Sequence, residues 1–121
     1  MADEITINIR GQVVNGFMKR VFAPGSLKFT QASVGSQWFT WNVGTSEEDL
    51  TLVDITTEGW CFMRNVDATN YVTYGPKDTT MKAFGRIEAG EVAAMRLEPG
   101  ITIRAIADTA AVDLDILILE D

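Results

Sequence analysis

Carboxylates are the side chains of this sequence best placed to do chemistry. Asp113 and Asp115 alternate along an apolar stretch, and Asp67 stands between Asn65 and Asn70. Paired carboxylates can serve as acid and base, and clustered Asn and Asp oxygens can hold a hard cation such as calcium. A structural account of both groups is stronger. Asp113 and Asp115 have the two-residue spacing of the solvated face of a strand, and Asp67 that of a turn residue bonding its own backbone. Other chemistries lack their residues. With no histidine and one cysteine, Cys61, the sequence excludes His/Cys metal sites and a Cys–His nucleophile pair. Cys61 lies inside an apolar run and reads as a small buried hydrophobe. Gly44-Thr45-Ser46 lacks the lysine of a phosphate-binding loop, and dinucleotide and triad motifs are absent. The expectation is a protein that is not an enzyme, with no catalytic residue, cofactor or metal ligand.

Aromatic residues form the second group. Trp38, Phe39 and Trp41 put three large rings in four positions. On a strand Trp38 and Thr40 face one way and Phe39 and Trp41 the other, so the three cannot all enter one core. Core packing, a protein interface and a sugar-stacking platform are the uses open to them. Trp38, Phe39 and Trp41 are the candidate interface residues.

The elements that must position these groups are strands. The stretch Gly59 to Gly75 reads as two apolar strands joined by a polar turn at Asn65 to Asn70, a central hairpin covered on both faces. Ahead of it, Ile5, Ile7 and Ile9 alternate with polar residues. Asn15-Gly16 predicts a type I′ hairpin turn, and Ala23-Pro24-Gly25-Ser26 a plain turn ending the second strand. Thr45 to Asp49 predicts at most one helical turn, and Leu50 to Ile55 alternates as a strand. Met81 to Ile87, Val92 to Leu97 and Ile101 to Ile106 read as further strands. In the last, Val112, Leu114, Ile116 and Ile118 alternate with Asp113, Asp115, Leu117 and Leu119. Eight to ten short strands, with turn signals every eight to twelve residues and no substantial helix, predict an all-β antiparallel β-sandwich, jelly-roll-like, as a single domain over residues 1–121.

Composition narrows the partners. The net charge of −7 repels phosphate backbones, and Lys19-Arg20 is the only adjacent basic pair, so direct nucleic-acid binding is not expected. No apolar run approaches a membrane span, and the acidic start Met1-Ala2-Asp3-Glu4 does not read as a signal peptide. Synthesis in a reducing cytoplasm is expected.

The run Gly59 to Val72, a strand entering an Asn-x-Asp-x-x-Asn loop and leaving into an apolar strand, resembles a stretch of small virion structural proteins of tailed bacteriophages. The segments Phe84 to Glu91, Arg96 to Gly100 and Ala105 to Ala110 are similar to the same proteins. The likeness covers most of the second half of the chain and the Asn-Gly hairpin of the first. It implies a head-decoration or cement protein on the capsid surface of the virion. Such a protein binds the major capsid protein, associates as a homotrimer, and stabilises the head against packed DNA. A tail or head–tail component and a carbohydrate-binding sandwich using Trp38 and Trp41 are the alternatives.

Overall fold

A computed structural model describes residues 2–121, which contain strands and no helix. The chain divides into two compact units, Met1–Ala32 and Ser33–Asp121, where the sequence led to one domain over 1–121.

The first unit is a two-stranded antiparallel ribbon of β1 (Ile5–Asn15) and β2 (Met18–Phe29). Its turn differs from the expected Asn-Gly type I′. Asn15 pairs with Met18, so Gly16 and Phe17 form the loop, and of these only Gly16 has positive φ, at 59°. That is the pattern of a type II′ turn, with glycine at its first central position. The turn expected at Ala23 to Ser26 is instead a bulge. Between Ile9↔Gly25 and Gly11↔Phe22 the register shifts, with Ala23 and Pro24 opposite Arg10. Proline has no N–H to give the ladder, and a bulge accommodates it without ending the strand. Leu27 and Phe29 therefore belong to β2, opposite Ile7 and Ile5.

The second unit contains β3 (Ser36–Val43), β4 (Glu48–Asp49), β5 (Glu58–Asn65), β6 (Val72–Asp78), β7 (Thr80–Met81), β8 (Gly85–Ile87), β9 (Val92–Arg96), β10 (Ile103–Ala107) and β11 (Val112–Glu120). These make two antiparallel sheets. One has the order β3-β11-β5-β9. The other runs β4-β10-β6, with β8 and β7 both paired to β6. A single buried cluster joins them. Val43, Cys61, Met63, Leu114, Ile116 and Ile118 come from the first sheet, and Val72, Tyr74, Ile87, Ala105 and Ala107 from the second. The unit is an antiparallel β-sandwich.

β5 and β6 are interior strands, as their sequence suggested, but they are not a hairpin. They lie in different sheets, and the loop between them crosses from one layer to the other. Asn65, fully buried, closes that crossing. Its Nδ2 donates to the carbonyls of Asn70 at 2.9 Å and Ile87 at 3.0 Å, and its Oδ1 accepts from the Asp67 amide at 2.8 Å. Ile87 lies on β8, so a residue of one sheet is bonded to the backbone of the other.

The expected helical turn at Thr45 to Asp49 is absent. Glu48 accepts from the Gly44 amide, and Glu48-Asp49 forms the short strand β4 against β10. The strand expected over Leu50 to Ile55 is irregular chain, yet Leu50 and Ile55 are buried. These two side chains, five positions apart, anchor an irregular segment into the core without membership of a ladder. The run Met81 to Ile87 breaks into β7 and β8 because residues 82–84 turn in against Gly75. The Lys82 and Phe84 amides donate to the Pro76 and Tyr74 carbonyls, each at 2.9 Å, and a Cβ on Gly75 would overlap the Lys82 carbonyl.

β11 carries more of the core than any other strand of the sandwich: Val112, Leu114, Ile116 and Ile118 have no exposed surface. Truncating Leu114 removes buried methyl groups and leaves a cavity, whereas Leu117 lies on the opposite face. Chemical denaturation should show Leu114→Ala losing about 2–5 kcal/mol and Leu117→Ala less than about 1 kcal/mol. Equal losses would contradict the two-faced reading of the strand.

Candidate contact surface

The outer face of the sheet β3-β11-β5-β9 carries an apolar band, half-buried except at Trp38 and Ala94, where the alternation of an exposed antiparallel sheet leads one to expect polar residues. The register builds a row across all four strands, Trp38↔Leu117↔Phe62↔Ala94. Leu119 and Trp60 extend it on one side. The Trp60 and Phe62 rings stack with centroids 6.1 Å apart. Arg96 lies 5.7 Å over the Trp60 ring and pairs with Asp121 at 3.2 Å. On the other side of the row stand Asp115 and Arg64, then Asn42 and Asp113.

Trp38 is held in place while remaining 71% exposed. Its Nε1 donates to Asp115 Oδ1 at 2.9 Å, and Asn42 Nδ2 donates to Asp113 Oδ1 at 2.8 Å. A large ring fixed in orientation and open to solvent loses little further conformational freedom on binding. The structure thus separates the three candidate residues. Trp38 faces outward, while Phe39 and Trp41 are half-buried and pack against the core. Trp60, Phe62, Leu117 and Leu119 were not picked out from sequence as surface residues. The signal was the end of β11, where apolar residues occupy both faces.

The remaining chemical candidates are engaged in structure. Asp67 accepts from the amides of Asn70 at 2.7 Å and Thr69 at 2.9 Å, and these bonds hold its carboxyl below the usual range. Among the described residues no group of three or more His, Cys, Asp or Glu is placed to hold a metal ion. Glu47 is lowered first by the Met81 amide and then by Arg104, and Asp49 first by Arg104, which approaches it at 2.6 Å. These groups tie the short strand β4 to β10. Glu120 is held down by the Thr56 hydroxyl and the Thr56 and Thr57 amides. Burial pushes the Cys61 thiol up to about 12, leaving it protonated and unreactive at neutral pH. A cleft of about 240 Å³ lies between Leu50, Leu52, Leu97, Ile101 and Ile103, with Thr102 and Glu58 also on its wall. The one carboxylate lining it, Glu58, accepts from the Gly100 amide at 3.2 Å.

Compared with family models, with curated proteins and with solved structures, the chain matches none of them. The reading of function therefore rests on fold and surface.

Two measurements follow from these environments. An alkylating reagent at neutral pH should modify Cys61 only after denaturation; labelling of the folded chain would refute its burial. Glu47, Asp49, Asp67 and Glu120 are all held below their ordinary values, so the unfolded chain binds protons more readily. Their contribution is complete above the ordinary carboxylate range and is lost as pH falls through the lowered folded values. Asp67→Asn should therefore lose less stability than the parent between about pH 7 and about pH 3, as followed by thermal melts. An identical loss would exclude Asp67 as a contributor.

Proposed function

We propose that this protein is a structural component of a tailed-phage virion, a capsid decoration protein that binds the major capsid protein and associates with copies of itself. One observation carries the reading: a sandwich with an apolar, aromatic outer sheet face. A soluble fold leaves such a face open where another protein will cover it. Trp and Leu are poor solubilisers, and a ring pinned like Trp38 suits a central anchor in an interface.

The strand order supports the fold expected of such a protein. Taking β3, β4, β5, β6, β8, β9, β10 and β11 in turn, the sheets are β3-β11-β5-β9 and β4-β10-β6-β8. We read that order as jelly-roll-like, an architecture recurrent in viral capsid and lectin domains. Fold by itself does not assign function, and the surface carries the argument. The carboxylates weighed for chemistry are engaged: Asp67 with amides of its own loop, Asp113 with Asn42 and Asp115 with Trp38. A standard interface of roughly 800 Å² per partner, repeated over a shell, is enough to brace a capsid.

The test uses particles. Purified heads should carry the protein in hundreds of copies, and heads lacking it should show bare sites in electron micrographs and release DNA at lower temperature. A handful of copies per particle would move the protein to the tail, and indistinguishable particles would refute the decoration role.

A further inference from the structure

The ribbon β1–β2 poses a separate question. Every residue from Asn8 to Ser26 is exposed, including Val13, Val14, Phe17, Met18, Val21 and Phe22. A two-stranded ribbon is marginal in water without a covering layer. Its charge is the reverse of the rest of the chain. β1 and β2 contain Arg10, Lys19, Arg20 and Lys28 and no acidic residue, whereas Ser33–Asp121 has six basic residues against fifteen acidic ones. Two ribbons would repel each other. A ribbon and a sandwich attract.

We propose that the aromatic outer face of the β3-β11-β5-β9 sheet receives the β1–β2 ribbon of a second copy of this chain. The inference rests on the reading of that face as a contact surface, and names its partner. The two surfaces match in pattern as well as in charge. Along β11 the outward residues are Asp113, Asp115, Leu117 and Leu119, with Trp38 beside them. On the ribbon, the pairs Gly11↔Phe22, Val13↔Arg20 and Asn15↔Met18 place Phe22, Arg20, Met18 and Val13 on one face. Both stripes step every second residue, at about 6.6 Å, and set charge next to apolar bulk. With Arg20 over Asp115, the next residue of its stripe, Phe22, meets Leu117 and Trp38. Size agrees too: nineteen consecutive exposed residues, Asn8 to Ser26, approach the roughly 20–30 residues a side of a standard interface. Each copy both gives a ribbon and receives one, and where the rotation between copies closes, the contact makes a swapped dimer or a small ring.

Multi-angle light scattering and sedimentation of the full chain provide the test, with a melt of each variant to establish folding. The parent should be a discrete oligomer at micromolar concentration, dissociating as salt rises. Arg20→Glu and Asp115→Arg should each weaken association at least about tenfold, and the double variant Arg20→Glu with Asp115→Arg should recover most of it. Because Asp115 also holds Trp38, Phe22→Ser provides a second route that leaves the receiving face untouched, and it should also weaken assembly. A monomeric parent overturns the inference, as does assembly indifferent to the ribbon variants or a double variant no better than the singles. A monomer that retards duplex DNA through Lys19 and Arg20 would make the ribbon a nucleic-acid arm and also overturn it. Head binding is scored separately. A monomeric parent that still decorates heads defeats only the ribbon exchange, and a ribbon-dependent oligomer that ignores heads supports the exchange and defeats the decoration role.

Discussion

The alternation of side chains along β11 is the constraint on which the sandwich depends. The strand sits between β3 and β5, so its backbone is committed to ladders on both edges, and its side chains divide between two environments. Val112, Leu114, Ile116 and Ile118 fill the core; Asp113, Asp115, Leu117 and Leu119 face away from it. A slip of one residue would exchange the two sets, burying two carboxylates and exposing four aliphatic chains. Core and contact surface are therefore one sequence pattern read on alternate residues. Neither can be redesigned without regard to the other.

Legibility from sequence followed the same logic. β11, β9 and the opposite facing of Trp38 to Phe39 and Trp41 could be read because period-two patterning is local; which side is buried could not. The pairing partners could not. Gly59 to Tyr74 has the look of a hairpin, since two apolar strands flank a short polar loop, but hairpin and layer crossing have nearly the same local sequence. What decides between them is Asn65, whose amide finds the Ile87 carbonyl in the other sheet. Ala23-Pro24-Gly25 likewise reads as a turn, because nothing nearby reveals the β1 ladder that carries β2 past it as a bulge. Leu50 to Ile55 shows a third limit: apolar residues recur wherever a loop drops side chains into a core, with or without a strand.

Asp67, weighed first as a cation ligand, and several acids not singled out from sequence act as structural fastenings. Asp67 gathers amides of its own loop, Glu120 gathers the amides and hydroxyl at Thr56 and Thr57, and Asp49 and Glu47 hold Arg104. Such bonds satisfy backbone groups that short strands and irregular connections leave over. The excess of acids in the sandwich is partly explained in this way, since acceptors are what stray amides need. It also leaves the ribbon, with four cations and no carboxylate between Ile5 and Phe29, as an electrostatically distinct part of the chain.

The placement of β11 has a further consequence, for the order in which the fold can form. Trp38 and Asp115 are in hydrogen-bond contact but stand 77 residues apart, and β3 and β5 meet only through the strand that follows them both. At a translation rate of about 5–20 residues per second, that interval lasts on the order of 4–15 s. During it, β3 and β5 exist with their eventual shared neighbour unmade and their apolar faces uncovered. The sandwich cannot close strand by strand as it emerges. It closes when its last strand inserts, and until then the facing edges of β3 and β5 lack their shared partner.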